Sequence, residues 1–137
     1  MTLELLGESY FKKAKSRLKI LPVLLSDSNY SDVIRESQEI VELALKGALR
    51  KIGIEPPKIH DVGPLVVEHR DKFPAGLREN SERLAAISKW LRKEREFSFY
   101  GDVDLIPTEE YNKEDALRAM ADATFTVECL GTVFTAK

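Results

Sequence analysis

Three groups of side chains carry the chemistry this sequence could do, with Gln38, Glu42, Lys46, His60, Arg92, Arg95, Tyr100 and Asp102 as the candidate ligand contacts. Gln38, Glu42 and Lys46 recur every four residues, the spacing that stacks side chains along one edge of a helix. Such a ladder either offers hydrogen bonds to a base or a sugar, or closes on itself as an ion pair from Glu42 to Lys46 contributing about 0.3–0.5 kcal/mol. His60 stands in "RKIGIEPPKIHDVGPLV" (residues 50–66), where Gly53, Pro56, Pro57, Gly63 and Pro64 interrupt an otherwise helical chain. Its imidazole could touch a ligand or cap a neighbouring helix through a hydrogen bond. The third group is "WLRKEREFSFYGD" (residues 90–102), which sets Arg92, Lys93 and Arg95 beside Phe97, Phe99, Tyr100 and Asp102. Interleaved cations and aromatics can clamp a phosphate and stack a base. The same pattern suits a helix end whose cations complement the macrodipole and whose aromatics pack on the core.

Other chemistry is argued against. His60 and His69 are separated by eight residues, and neither has a cysteine or second histidine at metal-ligand spacing, so no metal site is expected. The single cysteine, Cys129, excludes an internal disulfide framework and a cysteine-based zinc site, and reads as a small buried residue on a helix. No catalytic residue and no cofactor is assigned. The net charge of −2 conceals +3 over residues 58–95 and −6 over residues 96–115. This asymmetry falls short of the strongly basic balance expected of a protein that holds nucleic acid through phosphate contacts alone.

Those residues must be positioned by helices. Leu3, Leu6, Tyr10, Ala14, Leu18, Leu21 and Leu25 recur at threes and fours and predict a first helix, which Pro22 kinks or ends. Lys12, Lys13, Lys15, Arg17 and Lys19 fill its other faces, as a solvated surface or a phosphate-tracking stripe. Ser31 is placed to cap a second helix over 32–52. Its seam of Ile34, Val41, Leu45, Ala48 and Ile52, widened by Val33, Ser37, Ile40 and Ala44, covers half the circumference and predicts a central helix with several neighbours. Gly53 is its natural C-terminal cap. A short third helix is expected from near His60 or Asp61 to before Pro74. A fourth carries Leu77, Leu84, Ile87 and Leu91 on one face and ends at Tyr100-Gly101-Asp102. An acidic loop follows. Asn112 then caps a last helix along Ala116, Ala119, Ala123, Val127, Leu130 and Phe134.

No segment alternates with the period of a strand. The expected fold is therefore all-α: an up-and-down helical bundle of four long helices plus one short helix, forming a single domain over residues 1–137. Hydrophobic residues at 43 % and charged residues at 32 % suit a globular chain with its own core. No apolar run is long enough for a bilayer, and "MTLELLGESYFKKAKSRLK" lacks the order of a leader peptide, so a cytoplasmic protein without membrane contact is expected.

The order and spacing of "YSDVIRESQEIVELALKGALRKIG", "EPPKIHDVGPLV", "REFSFYGD" and "TEEYNKEDALRAMADAT" resemble the HEPN domain, from about Tyr10 to Phe134. The resemblance implies a compact helical bundle, commonly a homodimer, that binds a nucleotide or RNA. It also implies a minimal nucleotidyltransferase as partner in a toxin–antitoxin-like pair. Many members are metal-independent ribonucleases marked by an arginine, four to six residues and a histidine. Here Arg95 and the fitting spacing lead to Tyr100 instead. A phenol with an unperturbed pKa of about 10 is a poor general base near neutral pH. The resemblance therefore points to a non-catalytic or weakly catalytic subunit that binds a nucleotide, RNA or a nucleotidyltransferase partner, with Arg92, Arg95 and Tyr100 as main contacts. A ribonuclease with a degenerate Arg-x4-Tyr site and a purely structural dimerisation module are the alternatives.

Overall fold

The structure is a computed structural model that describes residues 2–99 and 111–135, with side chains through Glu94 and again from Tyr111 to Phe134. Four long helices dominate it: α1 (Leu3–Arg17), α3 (Tyr30–Lys51), α6 (Ser81–Phe99) and α7 (Lys113–Thr135). Three short ones join them: α2 (Leu21–Ser26), α4 (Gly63–Glu68) and α5 (Ala75–Arg78). Among the described residues there is no strand, and the arrangement is an up-and-down all-α bundle.

α3 is the central element, packed on α1, α6 and α7. Its wide apolar face explains this, because Val33, Ile34, Ile40, Val41, Ala44, Leu45, Ala48 and Leu49 are all buried and one neighbour could not cover them. α6 contributes Leu84, Ile87 and Leu91 to this core, and α7 contributes Ala116, Ala119, Ala123 and Leu130. α1 and α3 come closest at two glycines. A Cβ on Gly7 would fall 2.7 Å from the Gly47 carbonyl oxygen, and one on Gly47 would fall 3.0 Å from that of Gly7. Only hydrogen at both positions lets the backbones touch there. Phe11 and Phe134 stack with ring centroids 4.7 Å apart and fasten the end of α7 to α1.

Several boundaries differ from expectation for local reasons. The first helix breaks at a 3₁₀ turn over Leu18–Ile20, and Pro22 opens α2 rather than ending α1, since a first-turn proline has no amide to lose. Ser31 is buried inside α3 and does not cap it. Asn29 flanks the helix instead, its side chain donating to Asp32 at 2.7 Å. The short helix starts at Gly63, not near His60 or Asp61, because Asp61 accepts the Gly63 amide at 3.0 Å and Pro64 fits the opening turn. The stretch from Ala75 divides into α5 and α6 at Glu79 and Asn80. Asn112 does cap the last helix: its side chain accepts the Asp115 amide at 2.9 Å, and Asp115 accepts the Asn112 amide at 3.0 Å.

Candidate functional site

The site begins at the end of α3. Gly53 has φ of +89°, a conformation without steric cost only for glycine. Its amide bonds the Arg50 carbonyl at 3.0 Å and the Ile54 amide bonds that of Leu49 at 2.9 Å. This Schellman closure satisfies the last carbonyls and turns the chain back along the helix it has just left. Residues 54–62 thereby form a strap, stiffened by Pro56 and Pro57, with Glu55 meeting Arg50 at 2.7 Å and His60 meeting Glu42 at 2.8 Å. At its far end Asp61 also accepts the Ser88 hydroxyl at 2.7 Å, which ties the strap to α6. Gly63 is needed at that junction, since a Cβ there would lie 2.8 Å from the Ala85 Cα.

The structure thus brings two of the three sequence-predicted groups together. Glu42 is the hub. Its Oε1 accepts Gln38 Nε2 at 3.0 Å and the His60 Nδ1 proton at 2.8 Å, and its Oε2 accepts Lys46 Nζ at 2.9 Å. Burial works to raise the Glu42 carboxyl, but the hydrogen bonds from Gln38, His60 and Lys46 outweigh it and hold the group below the ordinary carboxylate range. The ladder therefore closes on itself. Its effect is to orient the His60 imidazole, whose Nδ1 must carry a proton to bond a carboxylate.

Arg92, from the third group, shares a cleft with His60. A cavity of about 460 Å³ is lined by Ile59, His60 and Asp61 on the strap and by Lys89, Arg92 and Lys93 on α6. Asp61, held by Gly63 and Ser88, supplies one negative charge against the three α6 cations, so the lining is net positive. Trp90 faces elsewhere: its indole donates to Asp122 at 2.9 Å and the Arg118 guanidinium lies 4.0 Å from its ring centre. The Arg95 side chain, Tyr100 and Asp102 lie outside the described residues.

Sequence reasoning missed Arg50, Tyr10 and Lys89. The Tyr10 ring lies 4.2 Å from the Arg50 guanidinium, placed there by the close glycine crossing of α1 and α3. Burial works against the Arg50 charge, but Glu55 and Tyr10 together outweigh it and the guanidinium is held above its ordinary value. The signal for Arg50 was available, because it is the next four-residue step after Gln38, Glu42 and Lys46. Among the described residues no group of three His, Cys, Asp or Glu side chains could hold a metal ion. No described helix is long and apolar enough to cross a membrane.

A central helix ringed by neighbours around an apolar core, with a polar seam and a strap that bounds basic clefts at the surface, defines an all-α bundle. The HEPN domain model matches residues 8–132, and the chain belongs to the HEPN family. It is 27 % identical over 128 residues to "Putative toxin MJ1304" of Methanocaldococcus jannaschii, covering 88 % of this chain and 83 % of that protein. No solved structure shows a significant match.

Proposed function

We propose that this chain is a single-domain HEPN subunit that binds RNA or a nucleotide, dimerises, and works with a minimal nucleotidyltransferase in a toxin–antitoxin-like pair. The observation that carries the reading is the wall of Lys89, Arg92 and Lys93 facing His60 across a cleft. Lys89 lies about one turn before the adjacent pair Arg92 and Lys93, a spread of cations that can meet neighbouring phosphates without requiring a strongly basic chain. Arg92 is the central contact, with Arg95, Tyr100 and Asp102 extending the site. Glu42, Gln38 and Lys46 act as positioning residues behind His60. The toxin description of the archaeal relative supports the pairing.

Binding of a labelled single-stranded RNA, followed by anisotropy across a salt series, tests the site. Three phosphate contacts give a slope of log K on log salt of about −2, and Arg92→Ala with Lys93→Ala reduces its magnitude by about 1.4. Equal slopes for the parent and the double variant would remove these residues from the interface. Capture of a nucleotidyltransferase from the native host tests the partner.

One observation favours a second reading, a metal-independent ribonuclease. An imidazole held by a carboxylate stands on the same cleft as Arg92, and imidazole is the side chain suited to proton transfer near neutral pH. RNA cleavage in the presence of a chelator, lost in His60→Asn, is its expected signature. Intact RNA after prolonged incubation with the wild-type chain excludes it.

A further inference from the structure

A second cavity, of about 440 Å³, adjoins the first at Ile59 and His60 and is lined further by Tyr10, Lys46, Arg50, Glu55 and Lys58. Arg50 is only 8 % exposed. Of its guanidinium nitrogens, Nε and Nη1 are buried and have no hydrogen-bond partner among the described residues; Nη2 donates to Glu55, and Tyr10 adds a weaker polar contact to the group. Three N–H donors are thus left unused on a group that native structures rarely leave short of acceptors. The acceptor it does have is loosely placed: the Glu55 side chain is 61 % exposed, on the rim of the cavity.

A buried cation with spare donors, a cavity beside it and an exposed carboxylate of the same chain across its mouth describe an occupied anion receptor. We propose that this cleft binds a phosphate monoester, received by Arg50 with Lys46 and Lys58, and that Glu55 is an internal stand-in which the ligand displaces. Charge selects phosphate over a carboxylate. With Glu55 turned out, Lys46, Arg50 and Lys58 face Glu42 alone, leaving two positive charges for a dianion. Release of Nη2 also lets the guanidinium turn on its flexible stem, so that Nη1 reaches the incoming oxygens. Pro56, Pro57 and Ile59 supply an apolar flank for the remainder of the ligand. The site shares Ile59 and His60 with the Arg92 cleft but uses none of its three α6 cations, so phosphate binding here is tested separately from RNA binding there.

Titration of the full chain with inorganic phosphate, followed by backbone amide NMR, is the test. Shifts are expected at Tyr10, Arg50 and Lys58. Glu55→Gln should bind phosphate about two- to fivefold more tightly, the range set by losing a competing exposed ion pair. Lys58→Ala, at an exposed position, should weaken binding by a similar factor. Arg50→Lys should reduce it at least tenfold, with circular dichroism confirming the fold. Shifts confined to residues 89–93, an unchanged or weaker affinity in Glu55→Gln, or acetate binding as tightly as phosphate would each overturn the proposal.

Discussion

Replacing Glu42 by glutamine tests the hub of the polar seam, because it keeps the shape and removes only the charge. The native carboxylate accepts from three donors, Gln38, His60 and Lys46, at 3.0, 2.8 and 2.9 Å. An amide has one acceptor oxygen and must point its own NH2 at whichever donors that oxygen does not serve. At least one charge-assisted bond is lost in a position only 20 % exposed, which costs about 2 kcal/mol. For a chain of 137 residues that is a fall in Tm of about 6–10 °C. Urea unfolding at several pH values adds a sharper criterion. The Glu42 carboxyl is held below its ordinary range, so its stabilisation is fully present above the unfolded value of about 4.3 and is lost as pH falls through the lower folded value. A protonated carboxyl and an amide are near equals as hydrogen-bonding groups. The stability gap between wild type and Glu42→Gln should therefore be widest near pH 7 and close towards the acid limb. A gap that stays constant with pH, or no gap at pH 7, would refute the account of Glu42 as a charged acceptor.

Further outcomes follow from single contacts. Gly7→Ala should destabilise by about 1–2 kcal/mol in a denaturant melt, because overpacking against the Gly47 carbonyl exceeds the gain of roughly 1 kcal/mol in helix propensity. Ser28 and Gly53 both occupy the left-handed region, at φ of +58° and +89°, so Ser28→Gly should stabilise and Gly53→Ala destabilise, each by about 0.5–1 kcal/mol by thermal melting. Asp61→Ala removes the acceptor for both Gly63 and Ser88, and hydrogen exchange at the first amides of α4 should accelerate about tenfold or more. Burial pushes the Cys129 thiol up, so a thiol reagent at pH 8 should react slowly with the native chain and rapidly in urea.

The long helices were legible because their signals are local. A seam at threes and fours, a glycine after α3 and an asparagine before α7 act within one or two turns, and each sits where the sequence pattern places it. Gly7 and Gly47 were not legible in the same way. An apolar periodicity treats a glycine as neutral, and only the crossing of α1 over α3 turns both into contacts. The strap shows the same limit for the site. Its stiffness was readable from Pro56 and Pro57, but the eighteen-residue separation between Glu42 and His60 is closed by a tertiary turn, and no spacing rule announces it. That closure decides the meaning of the ladder. Gln38, Glu42 and Lys46 run along a central helix whose other exposed edge is minimal, and they persist there because the Glu42 oxygens are fully used by Gln38, His60 and Lys46. Among the described residues two rungs are left short: Gln38 Oε1 at one end of the seam, and Nε and Nη1 of Arg50, one step beyond Lys46, at the other. Of these two, only Arg50 lines either cavity, and an unsatisfied buried group beside open space is where a ligand is expected. Its position beside Tyr10 and next to Glu55 is why the proposed phosphate is assigned to Arg50, with Lys46 one turn back on the same helix.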